Sequence, residues 1–146
     1  MEETRRRGIG FAGKRVLLAE DDPLNIEVVR RLLEKKGMIV EKAAGGRAAE
    51  AAFLAAGRDY YDAVLVDYSM PGMDGLEAAR QIRADEARLG ASRPVPVVAL
   101  TASAFEEDMA GSFGGLIDAG IAKPVKQAEL FDILRALMTG EVRQSE

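Results

Sequence analysis

The 146-residue chain contains no cysteine and no histidine. Without cysteine, the chain can form neither disulfides nor zinc–thiolate centres, and it has no cysteine nucleophile. Without histidine, it lacks the commonest general base and cannot carry a phosphohistidine. Any histidine chemistry must therefore be supplied from outside this sequence.

Long apolar runs are also missing from the sequence. The longest runs, such as residues 63–66 and 95–100, are far shorter than the about 20 residues that a membrane-spanning helix needs. The basic start at residues 1–7 is not followed by an apolar stretch of signal-peptide length. We therefore expect a cytoplasmic protein without membrane contact.

Acidic side chains outnumber basic ones outside the first residues. The net charge of the chain is −4, yet residues 1–15 carry five basic and only two acidic side chains. The rest is therefore acidic, which argues against nucleic-acid binding because that normally needs a basic face. Length and a 48% apolar content predict one globular domain. We expect a basic arm or linker remnant at 1–13, the domain at 14–140 and a tail at 141–146.

Short apolar runs alternate with longer segments of helical periodicity, giving five βα units. Strands separated by helices pair in parallel through right-handed crossovers, which predicts an α/β fold, a doubly wound parallel sheet with helices on both faces. The predicted strands are 16–19, 38–43, 63–66, 95–100 and 117–122. The predicted helices are 23–36, 47–56, 76–89, 105–113 and 127–138.

Polar side chains follow four of the five predicted strands, at the carboxyl edge where such sheets carry their chemistry. Glu20 and Asp21 follow the first strand, Asp67 the third, Thr101 the fourth and Lys123 the fifth. Three carboxylates placed together repel one another unless a hard cation such as Mg²⁺ lies among them. The pattern therefore predicts a magnesium site.

These residue types match the requirements of phosphoryl transfer to a carboxylate. Asp67 closes the central strand and is the best placed nucleophile for an aspartyl phosphate. Phosphoryl transfer depends mainly on positioning and on neutralising the equatorial oxygens. Lys123 and Thr101 would each contact one of these oxygens, and the metal would hold the third.

Four segments together resemble the response-regulator receiver family, in the family's order and spacing over residues 14–140. They are Leu-Leu-Ala-Glu-Asp-Asp at 17–22, Val-Asp-Tyr-Ser-Met-Pro-Gly-Met-Asp-Gly at 66–75, Ala-Leu-Thr-Ala at 99–102 and Lys-Pro at 123–124. The resemblance implies a flavodoxin-like five-stranded sheet of order 2-1-3-4-5. The stretches 20–25 and 99–108 are similar to receivers of hybrid histidine kinases.

The resemblance also implies roles for individual residues. Asp67 would be the phospho-acceptor, Glu20 and Asp21 would hold Mg²⁺ with Asp21 as the direct ligand, and the backbone carbonyl of Ser69 would complete the protein's share. Thr101 and Lys123 would contact the phosphoryl group. The Lys123–Pro124 peptide bond would be cis.

The function implied is that of a signalling switch in a two-component phosphorelay and not of a metabolic enzyme. The phosphodonor would be a histidine kinase or a histidine phosphotransfer protein. The downstream target would be a protein that binds the face formed by the fourth helix, fifth strand and fifth helix. We expect catalysis to be limited to the domain's own phosphorylation and dephosphorylation.

Two positions depart from the family pattern, since Leu116 stands where the family usually has glycine and Gly120 where it usually has an aromatic residue. The aromatic switch residue expected three positions before Lys123 is replaced by Gly120, which has no ring to turn inward. A phosphorylation-independent scaffold with a receiver fold is therefore the alternative function. Glycines at 111, 114 and 115 suggest that the fourth helix is short and orders on phosphorylation or partner binding.

A second alternative is a phosphatase of the haloacid-dehalogenase type, which also uses an aspartate nucleophile after a strand. That class needs an acid two residues after the nucleophile, where this chain has Ser69. Two further acids, Asp22 and Asp74, precede helices and are interpreted mainly as helix caps. The sequence does not decide whether Asn25 tunes entry of the phosphodonor.

Overall fold

A computed structural model describes residues 10–111 and 115–139 of the chain. Ten elements alternate along it. None of the helices in these two ranges is both long enough and apolar enough to cross a membrane. The strands are β1 (Arg15–Ala19), β2 (Ile39–Ala43), β3 (Ala63–Asp67), β4 (Val97–Thr101) and β5 (Ala119–Ala122). The helices are α1 (Pro23–Lys35), α2 (Gly46–Ala56), α3 (Gly75–Leu89), α4 (Ala104–Gly111) and α5 (Gln127–Thr139).

The five strands form one parallel sheet of order β2-β1-β3-β4-β5, which confirms the predicted fold. The central strands are buried on both faces, as expected when helices cover both sides of a parallel sheet. Strand β3 pairs with β4 so that Asp67 lies opposite Leu100. The register therefore brings the ends of β3 and β4 to the same edge.

The sheet separates two apolar cores. The α2–α3 core packs residues such as Phe53 and Ile82 against one face of the sheet. The α1–α5 core packs residues such as Leu33 and Leu134 against the other face. Alternate strand residues contribute to opposite cores, since successive side chains of a strand point to opposite faces.

Local sequence signals explain where the two helices nearest the site begin. Asp22 accepts a hydrogen bond from the backbone N–H of Leu24 at 3.0 Å, and Pro23 is the first residue of α1. Asp74 accepts from the N–H of Glu77 at 2.9 Å and caps α3 in the same way. Both acids therefore act as the helix caps that the sequence indicated.

Two strands begin two residues later than predicted. Strand β4 starts at Val97 instead of residue 95, because Pro96 has no N–H and the N–H of Val95 donates to the carboxylate of Glu86. Strand β5 starts at Ala119, after Asp118 has turned its side chain toward the N–H of Val97. The remaining predicted boundaries lie within one residue of those observed, apart from the end of α4.

The packed part of the chain starts earlier than the predicted boundary at Lys14. Phe11 is buried in the α1–α5 core, and its ring centroid lies 5.1 Å from that of Phe131. The N–H of Gly13 donates to the carbonyl of Gly37 at 2.8 Å. Helix α4 is short, with eight residues, and the predicted end of this helix at residue 113 lies outside the described residues, as do positions 1–9 and 140–146.

Candidate functional site

The carboxyl edge of the sheet brings together the acids and the lysine that the sequence placed after its strands. Asp67 is the last residue of β3 and is only 4% exposed. Glu20 follows β1 and is fully buried, and Lys123 follows β5. Since β1 and β3 are neighbours in a parallel sheet, both acids lie at one edge.

Lys123 connects these two acids. Its Nζ lies 3.1 Å from Asp67 Oδ1 and 3.5 Å from Glu20 Oε2. Burial alone would lower the pKa of Lys123, but the hydrogen bond and charge of Asp67, aided by Glu20, outweigh it and raise that pKa. Lys123 is therefore a fixed positive charge in the site, and its peptide bond to Pro124 is cis, as the resemblance implied.

Glu20 is the most strongly perturbed acid of the site. Its Oε1 accepts a hydrogen bond from the N–H of Asp21 at 3.2 Å, whereas Oε2 accepts none from the described residues. Burial, a hydrogen bond shared with Asp67 and the charge of Asp67 raise the pKa of Glu20 to about 7. Lys123 opposes this shift only in part. The site thus holds more negative charge than its own lysine neutralises.

The acid cluster fits a hard divalent cation. One carboxylate oxygen from each of Glu20, Asp21 and Asp67 lies within 4.8 Å of the others. Carboxylate oxygens are the ligands that Mg²⁺ prefers. The buried Glu20 Oε2 has no hydrogen bond and only the distant charge of Lys123 at 3.5 Å, so such an ion would satisfy it, directly or through water. Asp21 is exposed, so the cluster is open to solvent on that side.

The loop after β3 is held close to Asp67. The N–H of Ser69 lies 3.3 Å from Asp67 Oδ1, and the N–H of Gly75 donates to the carbonyl of Tyr68 at 2.8 Å. A β-carbon on Gly75 would lie 2.7 Å from Asp67 O and from Tyr68 Cα. The Asp-Gly pair in the sequence indicated a turn, but this close approach of α3 to β3 could not be seen from the sequence.

Thr101 ends β4 and is fully buried. Its hydroxyl donates to the carbonyl of Ile121 at 3.4 Å, a long and weak hydrogen bond. The backbone carbonyl of Thr101 accepts from the N–H of Lys123 at 2.8 Å. Thr101 is thus hydrogen-bonded to the segment that carries Lys123. Because the hydrogen bond of its hydroxyl is weak, exchanging it for another acceptor costs little free energy.

The space beside Gly120 is partly filled by α4. A β-carbon on Gly120 would lie 3.3 Å from Glu107 Cγ and 3.9 Å from Thr101 Cγ2. The stem of Glu107 therefore covers the position at which the resemblance implied an aromatic side chain. No local sequence signal indicates this contact, because it depends on how α4 packs over β5.

Three polar residues near the site have structural roles outside the acid cluster. Ser103 accepts a hydrogen bond from the N–H of Glu106 at 3.1 Å at the start of α4. Asn25 is half-buried and donates to Asp22 at 3.3 Å, and no described contact ties it to Asp67. Asp74 caps α3, and its side chain is thereby turned to the start of that helix.

Comparisons with known proteins agree with this geometry. A sequence model described as the response regulator receiver domain matches residues 16–135. Hybrid signal transduction histidine kinase L of Dictyostelium discoideum is 35% identical over 134 residues, which are 92% of this chain and 8% of that protein. The chain spans between 8% and 13% of the first histidine kinases that it matches.

Solved structures of similar fold include one with a bound metal and one with a partner. The receiver domain of sensor histidine kinase PA1611 from Pseudomonas aeruginosa, with magnesium in its active-site cleft, is 35% identical with a TM-score of 0.72, covering 88% of this chain and 99% of that one. The Saccharomyces cerevisiae receiver domain of Ssk1, crystallised with the histidine phosphotransfer protein Ypd1, is 26% identical with a TM-score of 0.77, covering 90% and 92%. With the sequence match over residues 16–135 and the sheet order described above, the chain belongs to the response regulator receiver domain family.

Proposed function

We propose that this domain accepts a phosphoryl group on Asp67 in a Mg²⁺-dependent reaction and transmits the signal through protein contacts. The observation that carries the proposal is the placement of Asp67, a buried carboxylate whose Oδ1 lies 3.1 Å from Lys123 Nζ and whose neighbours are two further acids. A carboxylate with a fixed cation beside it and a cation-binding cluster around it has the parts that phosphoryl transfer requires.

The metal would be held by Asp21 and Asp67, with Glu20 beside them and the backbone carbonyl of Ser69 completing the protein's share. The donor set consists of oxygens, which suits Mg²⁺. When bound, the ion supplies positive charge that offsets the repulsion between the acids and the incoming phosphoryl group. It would also satisfy the buried Glu20 oxygen that lacks a hydrogen-bond partner.

In the transfer step, a carboxylate oxygen of Asp67 attacks phosphorus as the bond from phosphorus to the donor's imidazole nitrogen breaks. The donor's ring carries a proton on its other nitrogen, so that the imidazole leaves as the neutral ring when it takes the electron pair of the phosphorus–nitrogen bond. Lys123 already lies against Asp67 and neutralises charge on one phosphoryl oxygen. Thr101 exchanges its weak hydrogen bond to Ile121 for one to a second phosphoryl oxygen.

The phosphodonor would be a histidine kinase or a histidine phosphotransfer protein, because this chain has no histidine of its own. Two apolar side chains of α1, Leu24 and Val28, are 70% and 44% exposed on the helix that begins directly after the acid cluster. Such side chains suit a protein interface beside the site. The likeness to a receiver crystallised with a histidine phosphotransfer protein supports this choice of donor.

The output would be a protein bound at the face formed by α4, β5 and α5, where Phe105 is 70% exposed. Apart from its own phosphorylation and dephosphorylation, the domain would catalyse no reaction. We place it in the cytoplasm, in the sub-class of receivers found in hybrid histidine kinases. Within the chain, residues 14–140 with Phe11 would form this domain, flanked by a basic arm and a short tail.

The decisive experiment is incubation with acetyl phosphate or phosphoramidate and Mg²⁺, followed by measurement of the intact mass. We expect one phosphoryl adduct in the wild-type protein and in Asp74→Asn, since asparagine also caps helices well. We expect none in Asp67→Asn. An adduct that persists in Asp67→Asn would refute the assignment.

The same experiment separates the two alternatives. Catalytic turnover of many phosphate esters without an accumulating adduct would indicate a phosphatase. A folded protein that gains no adduct from any donor would indicate the scaffold function that Gly120 suggests.

A further inference from the structure

A second pair of acids lies away from the phosphorylation site, between α2 and α3. Asp85 of α3 is 1% exposed, and its Oδ2 accepts no hydrogen bond from an N–H or hydroxyl donor of the described chain. The nearest cation is Arg88, whose Nη1 lies 3.7 Å from Asp85 Oδ1 and whose side chain is 66% exposed. An exposed arginine at that distance neutralises a buried carboxylate only weakly.

Glu50 of α2 meets Asp85 across the helix interface. A hydrogen bond to Asp85, followed by burial and the charge of Asp85, raises the pKa of Glu50, while Arg88 opposes the shift. Two ionised carboxylates in such contact repel strongly, so Glu50 keeps a proton toward Asp85 over a wider pH range than an ordinary glutamate. With Glu50 as the donor, that proton also satisfies the orphan Asp85 oxygen.

Two other acids, one on β2 and one on α3, already have partners of their own. Glu41 of β2 accepts hydrogen bonds from the hydroxyls of Tyr60 and Tyr61, each at 2.7 Å. Glu86 of α3 binds Arg83 and the N–H of Val95. No described side chain other than Arg88 therefore offers the pair a compensating positive charge.

Helix α2 also contacts the loop that follows the proposed phospho-acceptor. A β-carbon on Gly46, the first residue of α2, would lie 2.4 Å from the carbonyl oxygen of Met73 and 3.0 Å from its Cβ. The backbone of α2 thus rests directly on the loop of residues 68–74, which contains Ser69. A small displacement of α2 relative to α3 must shift the contact between Gly46 and Met73, because closely packed backbone atoms leave no free space between them.

We propose that Glu50 and Asp85 form a proton-dependent clasp that holds α2 against α3 and thereby sets how firmly Gly46 supports the loop of residues 68–74. In the protonated state the shared hydrogen bond closes the helix pair. When the proton leaves, the two carboxylates repel, α2 moves away from α3 and the loop loses support. The link to phosphorylation rests on the proposed function, whereas the clasp itself does not.

The sign of the pH effect follows from the direction in which the pKa of Glu50 moves. Glu50 has a raised pKa in the folded protein relative to the ordinary value of 4.5. The stabilisation from this proton is therefore complete below about pH 4.5 and is lost as pH rises through the raised pKa of Glu50. For each pH unit by which the folded pKa exceeds the unfolded pKa, the equilibrium constant for unfolding changes about tenfold.

The test compares the wild-type protein with Glu50→Gln by amide hydrogen exchange and by thermal unfolding, from acid to mildly alkaline pH. All samples contain a chelator and no phosphodonor. Glutamine keeps a hydrogen-bond donor toward Asp85 at every pH. Below about pH 4.5 we expect the two proteins to have similar stability. At alkaline pH we expect the Tm of the wild type to be a few degrees lower than that of the variant. At alkaline pH, amide hydrogen exchange of residues 46–56 and 68–74, corrected for intrinsic rates, should be several-fold faster in the wild type than in Glu50→Gln.

Two controls make the result specific. Glu129→Gln changes an exposed glutamate of α5 and should leave the pH profile unaltered. Asp85→Asn should abolish the pH dependence in the same way as Glu50→Gln if it folds.

A difference in Tm between the wild type and Glu50→Gln that is the same at every pH would overturn the clasp. A pH-dependent Tm difference without a change of exchange in 68–74 would overturn its link to the loop. Neither readout involves phosphorylation, so failure of the proposed function would be seen separately.

Discussion

At the scale of single residues, two glycines near the site differ in what surrounds them. Gly75 has backbone atoms of Asp67 and Tyr68 within 2.7 Å of the position of a β-carbon. Gly120 has only the flexible stem of Glu107 within 3.3 Å. The first position has no room for a side chain, whereas the second can accept a methyl group if Glu107 moves slightly.

Gly75→Ala and Gly120→Ala therefore form a matched pair. We expect Gly75→Ala to lower the free energy of unfolding by about 1–3 kcal/mol, since overpacking forces backbone shifts. Gly120→Ala should be neutral or stabilising by up to about 1 kcal/mol, because glycine is unfavourable within a strand. Urea denaturation measures both, and equal losses in the two variants would contradict this difference in packing.

At the scale of elements, Arg83 of α3 joins α3 to the chain before β4 and β5. Its guanidinium donates to the carbonyls of Val95 and Leu116 at 2.8 and 3.2 Å. It also pairs with Glu86 and Asp118, both at 3.0 Å. The side chain is 14% exposed, so these contacts are largely shielded from solvent.

Arg83→Met should therefore destabilise the domain by about 3–5 kcal/mol, because it leaves buried acids without their cation. Arg80→Met on the same helix removes only an exposed pair with Glu77, and should cost at most about 1 kcal/mol. Chemical denaturation with both variants tests this difference. A small loss in Arg83→Met would mean that Glu86 and Asp118 find other partners.

The sequence was informative about elements where local signals act alone. Capping by Asp22 and Asp74, the strands and the acids at their ends all follow from short segments. Other features depend on partners distant in the sequence. The Arg83–Asp118 ion pair joins residues 35 positions apart, and the Glu50–Asp85 pair joins two different helices. Neither local periodicity nor motif spacing carries information about such contacts.

At the scale of the whole molecule, the acid cluster links stability to magnesium. Glu20 and Asp67 repel each other in the folded protein but not in the unfolded chain, and a bound cation would relieve this repulsion. We expect Mg²⁺ at 100 times its dissociation constant to raise the free energy of unfolding by about 2.7 kcal/mol. Differential scanning calorimetry with Mg²⁺ and with chelator measures the effect.

Asp21→Ala should remove most of this magnesium-dependent gain, because the proposed direct ligand is lost. Asp108→Ala, a change of an exposed acid on α4, should retain it. A magnesium effect of equal size in the two variants would place the ion elsewhere.

Because the sheet separates the two cores, destabilising substitutions in one core should act independently of those in the other. Ile82 lies in the α2–α3 core and Leu134 in the α1–α5 core, with the backbone of the sheet between them. Losses of free energy in Ile82→Val and Leu134→Ala should thus add in the double variant to within about 0.5 kcal/mol. Substitutions in one core then leave the other unaffected, so the proposed donor interface at α1 and the proposed loop support at α2 can change independently.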